Sequence, residues 1–368
     1  MNYTHTVTDD RHYYEFKTED NLSASHMTVI TRISHLCGNE LRSCTVGGVG
    51  TRPEFRREGY VRSMLTDLHN AAPENGWAVS FLHPFSFAYY RKFGYEKVAD
   101  EKIVTFPLSK LDFLDRCSDL VPVNTEQRAA DCTAVYNTFA KNRGIMFKRF
   151  GTDIFPTAEG EGRPTYLRYD REGKPIAYIS YDTEKYFDVN KMVSVALHVR
   201  EFAFITPEGL RDILGFLRMF DGEHDTVIIH NCAMAPEIDL LLPHYMHTAY
   251  ELRPDIMARI LDVPAVLTAH SYPDREGSFT LRVADTLDFT RGSYRVDFGG
   301  GEAKVTRIAD TLPCDLDLDI AALARLVYGY EEYTPALTAY MPGVTLHNPN
   351  SSLFEAFHKQ PTGLFEHF

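Results

Sequence analysis

Residues 46–96 read VGGVGTRPEFRREGYVRSMLTDLHNAAPENGWAVSFLHPFSFAYYRKFGYE. A glycine-rich apolar run ending at Thr51 reads as a strand that meets a turn at Arg52-Pro53. Arg56, Arg57 and Gly59 then open a segment in which Val61, Met64, Leu65 and Leu68 recur at helical spacing, while Arg62, Asp67 and Asn70 fall on other faces. Trp77 to Leu82 reads as a second strand. The aromatic run after it closes on Phe93-Gly94-Tyr95, where glycine supplies the left-handed turn that ends a short helix. The layout is strand, basic loop, helix, strand.

Such a loop suits an anion. The first turn of a helix leaves backbone N–H groups without partners, and the helix dipole adds partial positive charge there. A phosphate or pyrophosphate fits that site. Gly59 lets the backbone approach closely because it has no Cβ. Arg56 and Arg57 add charge and forked donors matched to phosphate oxygens. A solvated basic turn before a surface helix would leave the same short signature, so the flanking residues decide.

Those residues resemble the GNAT superfamily of N-acetyltransferases, whose acetyl-CoA loop reads Gln/Arg-x-x-Gly-x-Gly/Ala. Here the loop is Arg56-Arg57-Glu58-Gly59-Tyr60-Val61, and Val61 departs from the small residue usual at its end. The longer strings Gly48-Val49-Gly50-Thr51, Pro53-Glu54-Phe55-Arg56-Arg57 and Tyr89-Tyr90-Arg91-Lys92-Phe93-Gly94-Tyr95 resemble the Eis (enhanced intracellular survival) family. The resemblance is specific through residues 46–96 and fainter to the C-terminus. It implies an α/β (α+β) chain with two tandem GNAT-like mixed-sheet domains and a sterol-carrier-like α/β domain at the C-terminus. It also implies acetyl-CoA as co-substrate, an amine acceptor, and a closed homo-oligomer, trimer or hexamer.

Composition is compatible with this. The 368 residues exceed one ordinary domain. A formal net charge of −13 argues against general nucleic-acid binding and accommodates cationic substrates. No apolar run approaches the roughly 20 residues of a membrane span. The polar start MNYTHTVTDD lacks a signal-peptide core, so a cytoplasmic protein is expected. Cys37, Cys44, Cys117, Cys132, Cys232 and Cys314 are scattered, as in reduced, packed thiols, and no cluster has metal-ligand spacing. His224 reads as a solvated loop residue.

Three regions follow. In the first, 1–120, strands are expected at His26–Cys37, Leu41–Thr51, Trp77–Leu82 and Lys102–Leu108, with a turn at Asn39-Glu40; compared with the family it is short at its N-terminus, where a further strand and helices are usual. In the second, 121–262, a helix at Thr125–Arg143 is followed by strands at Thr165–Arg168, Pro175–Asp182 and Val193–Phe204, a helix at Pro207–Phe220 and a strand at Thr226–His230. That is the same element order, but Phe204-Ile205-Thr206-Pro207-Glu208-Gly209 stands where paired arginines would be. The resemblance implies a degenerate acetyltransferase domain, and the missing loop agrees. In the third, 263–368, strands at Gly277–Val283, Gly292–Val296 and Ala303–Ile308 precede helices at Asp317–Tyr328 and from Leu353. Gly299-Gly300-Gly301 reads as a hairpin turn.

Acetyl transfer to an amine requires a neutral amine, a donor for the carbonyl oxygen and a proton for the departing thiolate. Within AYYRKFGYE, Tyr90 holds the position at which the superfamily presents its acid, and Tyr89 and Tyr95 read as structural. In Eis proteins the terminal phenylalanine reaches the first domain's active site, and this chain ends on Phe368; its α-carboxylate, with an ordinary pKa of about 3.5, is the candidate base. Glu366 and His367 are adjacent alternatives. By the same resemblance, Val49 and Thr51 match the strand positions that pair with pantetheine, and the amides of Val49 or Gly50 face the thioester. Gly47, Gly48 and Gly50 fit a strand that another chain approaches closely, or a β-bulge. The alternative to an enzyme is a protein that binds acyl-CoA or an apolar ligand through its C-terminal region without catalysis.

Overall fold

Alternation builds the first sheet. In Arg11–Lys17, His12 and Tyr14 are buried while Arg11 and Tyr13 are exposed, as on a sheet with one covered face. The computed structural model describes residues 1–152, 154–158, 160–187, 193–242, 245–329 and 331–368. The chain divides into two compact units: Met1–Ala99, Asp255–Thr362 and Glu366–Phe368 in one, Asp100–Pro254 and Gly363–Phe365 in the other.

In the first unit β1 (Asn2–Thr8), β2 (Arg11–Lys17), β3 (Ser23–Leu36) and β4 (Asn39–Thr51) form an antiparallel meander. Helix α1 (Tyr60–Asn70) crosses to β5 (Val79–Leu82), which runs parallel to β4. Met257–Ile260, the end of strand Ala249–Ile260, pair antiparallel with β5. The apolar face of α1 works as the spacing implied: Met64, Leu65 and Leu68 pack with Met27, Val29, Cys44, Val46 and Trp77. Each such buried side chain contributes roughly 1.5–3 kcal/mol.

Two strands, β1 and β2, stand where the sequence reading placed none, and no helix precedes β3 among the described residues. The β3–β4 turn falls on Cys37-Gly38, with φ of 51° and 85°, and not on Asn39-Glu40, because Leu36 and Asn39 already pair. A register shift opposite Gly48, whose φ is 57°, makes the glycine run a β-bulge.

The same unit holds a five-stranded sheet of Gly277–Ala284, Gly292–Gly299, Glu302–Ile308, Leu316–Asp319 and Val344–Leu346. Gly300-Gly301 makes the expected hairpin, with Gly299 paired to Glu302. The helix expected from Asp317 begins at Ile320, since Leu316–Asp319 pair instead with Leu281–Ala284 and Asp319 caps the helix through Ala322 N at 2.7 Å.

The second unit contains helix Glu126–Ala140, strands Thr165–Tyr169, Pro175–Phe187 and Val193–Phe204, helix Pro207–Leu217 and strand Thr226–Ile229, close to the expected bounds. Its core joins Val135, Tyr136, Phe139, Phe202 and Leu214. His224 is half-buried against the edge of Phe220 and not solvated, because the turn folds back on that ring. The six cysteines are free thiols. Among the described residues no helix is long and apolar enough to cross a membrane, and no group of His, Cys, Asp and Glu could hold a metal ion.

Candidate active site

The basic loop ends in a helix start left open. Gly59 is the N-cap residue of α1, with φ of 86° and no side chain over the first amides. Nothing lies within 4 Å of where its Cβ would be, so the backbone faces empty space. Arg57 also adopts a left-handed conformation, φ 71°, which is uncommon outside glycine. Arg56 Nε donates to Thr51 O at 3.3 Å, which ties the loop to the end of β4. A cleft of about 690 Å³ results, lined by Val49, Gly50, Thr51, Arg56, Arg57, Gly59, Tyr60 and Val61, with Phe55, Arg62, Phe85 and Tyr89. All eight positions expected to bind the co-substrate therefore meet at one cavity.

Strand splay opens the adjoining floor. β4 pairs with β5 only over Ser43–Val46, so Gly47–Thr51 present a strand edge that β5 does not cover. Ser25 Oγ fixes this segment through Gly50 O at 3.0 Å and Thr51 Oγ1 at 2.8 Å. The chain terminus lies where the edge begins. A Cβ on Gly47 would sit 2.5 Å from Phe368 C and 2.9 Å from Phe368 O. The close approach expected of this glycine strand is made at Gly47 by the terminal residue itself.

His83 anchors that terminus. Its Nδ1 lies 2.9 Å from Asp255 Oδ1 and its Nε2 lies 3.2 Å from Glu366 O, and its ring packs 4.8 Å from that of Phe368. Both partners are acceptors, so both hydrogen bonds form together only when the ring carries a proton on each nitrogen. Burial opposes that charge, but the hydrogen bond and charge of Asp255, with the Glu366 carbonyl, raise the His83 pKa. Sequence reading missed His83 and Asp255. His83 follows β5 directly, which is a signal; Asp255, 172 residues away, gives none.

Tyr90 is 2% exposed and stands behind the cleft wall, edge-on to Phe85 at 5.2 Å and Tyr89 at 5.3 Å. Burial pushes its phenol up, so it holds its proton at neutral pH. Tyr89, read as structural, lines the cleft. Tyr95 is fully buried, its hydroxyl 2.7 Å from Ser80 Oγ and 3.3 Å from His69 Nε2, as a packing residue.

The second unit has a counterpart whose helix start differs. Thr206 Oγ1 accepts from Gly209 N at 3.0 Å and Pro207 occupies the first turn, so the helix start is closed by its own cap. Gly209 is a packing glycine, its Cβ position 2.9 Å from Ala177 Cβ and Ile176 O. The nearby cavity, about 450 Å³, is lined by Phe139, Phe204, Leu210 and Leu241, with Arg143 held over the Phe139 ring and paired to Glu237.

Comparison with known proteins matches three segments of the chain. An acetyltransferase (GNAT) domain family matches residues 5–98, a second acetyltransferase (GNAT) domain family matches 149–260, and a sterol carrier protein domain family matches 263–339. N-acetyltransferase Eis of Mycobacterium tuberculosis is 23% identical over 287 residues, covering 74% of this chain and 67% of that protein. A GCN5-related N-acetyltransferase from Anabaena variabilis superposes with a TM-score of 0.83 at 20% identity, over 98% of this chain and 90% of that one. Eis1 from Mycobacterium abscessus superposes with a TM-score of 0.74 at 16% identity, over 97% and 90%. The fold is thus two GNAT domains followed by a sterol-carrier-like domain.

Proposed function

The chain belongs to the Eis-like family of GNAT N-acetyltransferases, and from that premise we propose that its first cleft moves an acetyl group from acetyl-CoA directly to a primary amine. The acceptor class is a polyamine, an aminoglycoside-like amino sugar or a lysine side chain. We assign catalysis to a domain at 1–120, a degenerate copy to 121–262 and the sterol-carrier-like domain to 263–368.

The residues fit the co-substrate. Open amides before α1, with Arg56 and Arg57 beside them, suit the pyrophosphate, and the uncovered edge of Gly47–Thr51 suits pantetheine. Acetyl-CoA supplies the activated acetyl group as a thioester. Tyr90 gives its phenolic proton to the departing sulfur, and the Phe368 carboxylate takes the proton that the attacking amine sheds, directly or through one water. Amides of Val49 or Gly50 steady the charge that develops on the carbonyl oxygen. No protein nucleophile is needed, because the amine itself displaces the sulfur.

The observation that carries this reading is the Phe368 carboxyl group over Gly47, at the mouth of the strand splay and in the same unit as the arginine–glycine loop. The test is thiol release from acetyl-CoA in the presence of a panel of amines. Amine-dependent release supports the reading. Protein that binds acetyl-CoA and releases no thiol with any amine class overturns it and leaves a binding protein.

A further inference from the structure

Arg259 is 1% exposed, on the strand paired with β5 and opposite Ser80. Its Nη2 donates to both oxygens of Asp285 at 2.9 Å, and the two side chains are 2% and 3% exposed. Arg259 Nε is buried with no hydrogen-bond partner. A buried pair with one donor unmet is a poor source of stability, since apolar side chains of similar volume would do as well. Its geometry gives it another use.

Arg259 Nη1 donates to Phe93 O, just past helix Phe87–Arg91. Phe93 N and Tyr95 N both donate back to Tyr90 O, at 2.9 and 3.4 Å, so this turn grips the peptide that carries the Tyr90 phenol. Gly94 between them has φ of 79°, and a Cβ there would collide with Arg259 Nη1 and come within 2.8 Å of Ile320 Cγ2. The guanidinium therefore packs directly against the turn. Asp285 is fixed from the other side. It follows strand Gly277–Ala284 and accepts from Thr286 N at 2.7 Å and from the fully buried Thr290 Oγ1 at 2.5 Å. Leu287 of the same loop packs into the cluster that contains Tyr90.

We propose that the Arg259–Asp285 pair is a positioning device: the sterol-carrier-like domain, through Asp285, sets the turn that aims Tyr90, and so takes part in acetyl transfer without touching substrate. The inference rests on the reading of Tyr90 as the acid. It gives the third domain a role in the reaction besides delivering the chain terminus.

The experiment compares full-length Arg259→Met plus Asp285→Leu with the parent, each with and without Tyr90→Phe. Turnover is measured where chemistry limits the rate, acetyl-CoA affinity by calorimetry, and folding by thermal melt. The paired variant removes both charges together and so avoids a stranded one. It is expected to melt cooperatively, keep its acetyl-CoA affinity and lose about 10²-fold in turnover, the scale of a misplaced reacting group. In the Tyr90→Phe background the same pair of changes is expected to cost nothing further.

Normal turnover in the paired variant, with Tyr90→Phe slow, overturns the positioning role alone. An equal loss with and without the phenol overturns it too, because the pair would then act on the fold at large. Normal turnover in Tyr90→Phe overturns both the acid and its positioning. Should the paired variant not fold, Thr290→Val, which removes one hydrogen bond to Asp285, is read in the same way: a smaller loss that vanishes without the phenol supports the proposal, and no loss or an additive one overturns it.

Discussion

The two acetyltransferase-like domains start the same helix in opposite ways. In the first, Gly59 stands at the N-cap and places no side chain over the amides of α1. In the second, Thr206 caps Gly209 N and Pro207, which has no amide, fills the first turn. A Thr cap is worth about 1 kcal/mol to a helix. An anion site must forgo that, because the amides that bind phosphate are the ones a cap would satisfy. Both helices bury an apolar face, so the fold survives in either state, and only the first of the two helix starts keeps its amides open. The comparison teaches that keeping a helix start open to an anion costs local stability.

The strongest way to break that contrast is at Tyr90. With chemistry confined to the first cleft, Tyr90→Phe is expected to lower turnover about 10²–10⁴-fold, the usual worth of a general acid, and to leave acetyl-CoA affinity nearly unchanged. Phenylalanine keeps the edge contacts to Phe85 and Tyr89, so folding is retained. Steady-state thiol release checks the first and calorimetry the second. Turnover near the parent's would remove Tyr90 from the mechanism.

Next in size is the chain terminus. A C-terminal extension converts the Phe368 carboxylate to an amide, and Gly47→Ala pushes a Cβ to 2.5 Å from Phe368 C. If the carboxylate is the base, the two are expected to act alike, each costing about 10²-fold in turnover. An extension that keeps full activity at neutral pH would hand the proton to water or to Glu366.

How much of this was legible in the sequence follows from which forces are local. α1 was readable because Met64, Leu65 and Leu68 recur on one face, and the Gly94 turn because glycine there announces a left-handed residue. β1 was not, since all seven of its residues are exposed and no apolar stripe marks it. The Asp317 helix start was misplaced because pairing of Leu316–Asp319 with a distant strand overrode a plausible local cap. The loop residues of the first cleft are consecutive and were found together. His83 with Asp255, and Arg259 with Asp285, are joined only by the fold, so neither pair leaves a spacing to read.

A smaller effect sharpens the loop itself. Arg56→Ala plus Arg57→Ala removes at least one charge-assisted hydrogen bond worth about 1.5–3 kcal/mol, so acetyl-CoA affinity is expected to fall at least about tenfold. The intact chain is expected to bind one acetyl-CoA, because in the second domain Thr206 takes the Gly209 amide and Pro207 has none. Calorimetry that finds two equivalent sites, or undiminished affinity in the double variant, would erase the contrast between the two helix starts.

The smallest expected effect concerns His83, which has no equivalent in the contrast of helix starts but holds Glu366 and packs on Phe368. Its pKa is raised in the folded protein: burial opposes the charge, and Asp255 with the Glu366 carbonyl outweighs burial. A histidine raised on folding adds stability that is fully present below its unfolded pKa of about 6.5, and that stability is lost as pH rises through the folded value. The parent's melting temperature is therefore expected to fall, relative to Asp255→Asn, as pH rises from about 6.5 through that value. The cause is visible in the geometry. A neutral ring has one N–H, so either Asp255 or Glu366 O must lose its donor. Thermal melts of both proteins across that range decide the matter, and parallel curves would show that His83 is not held as an imidazolium.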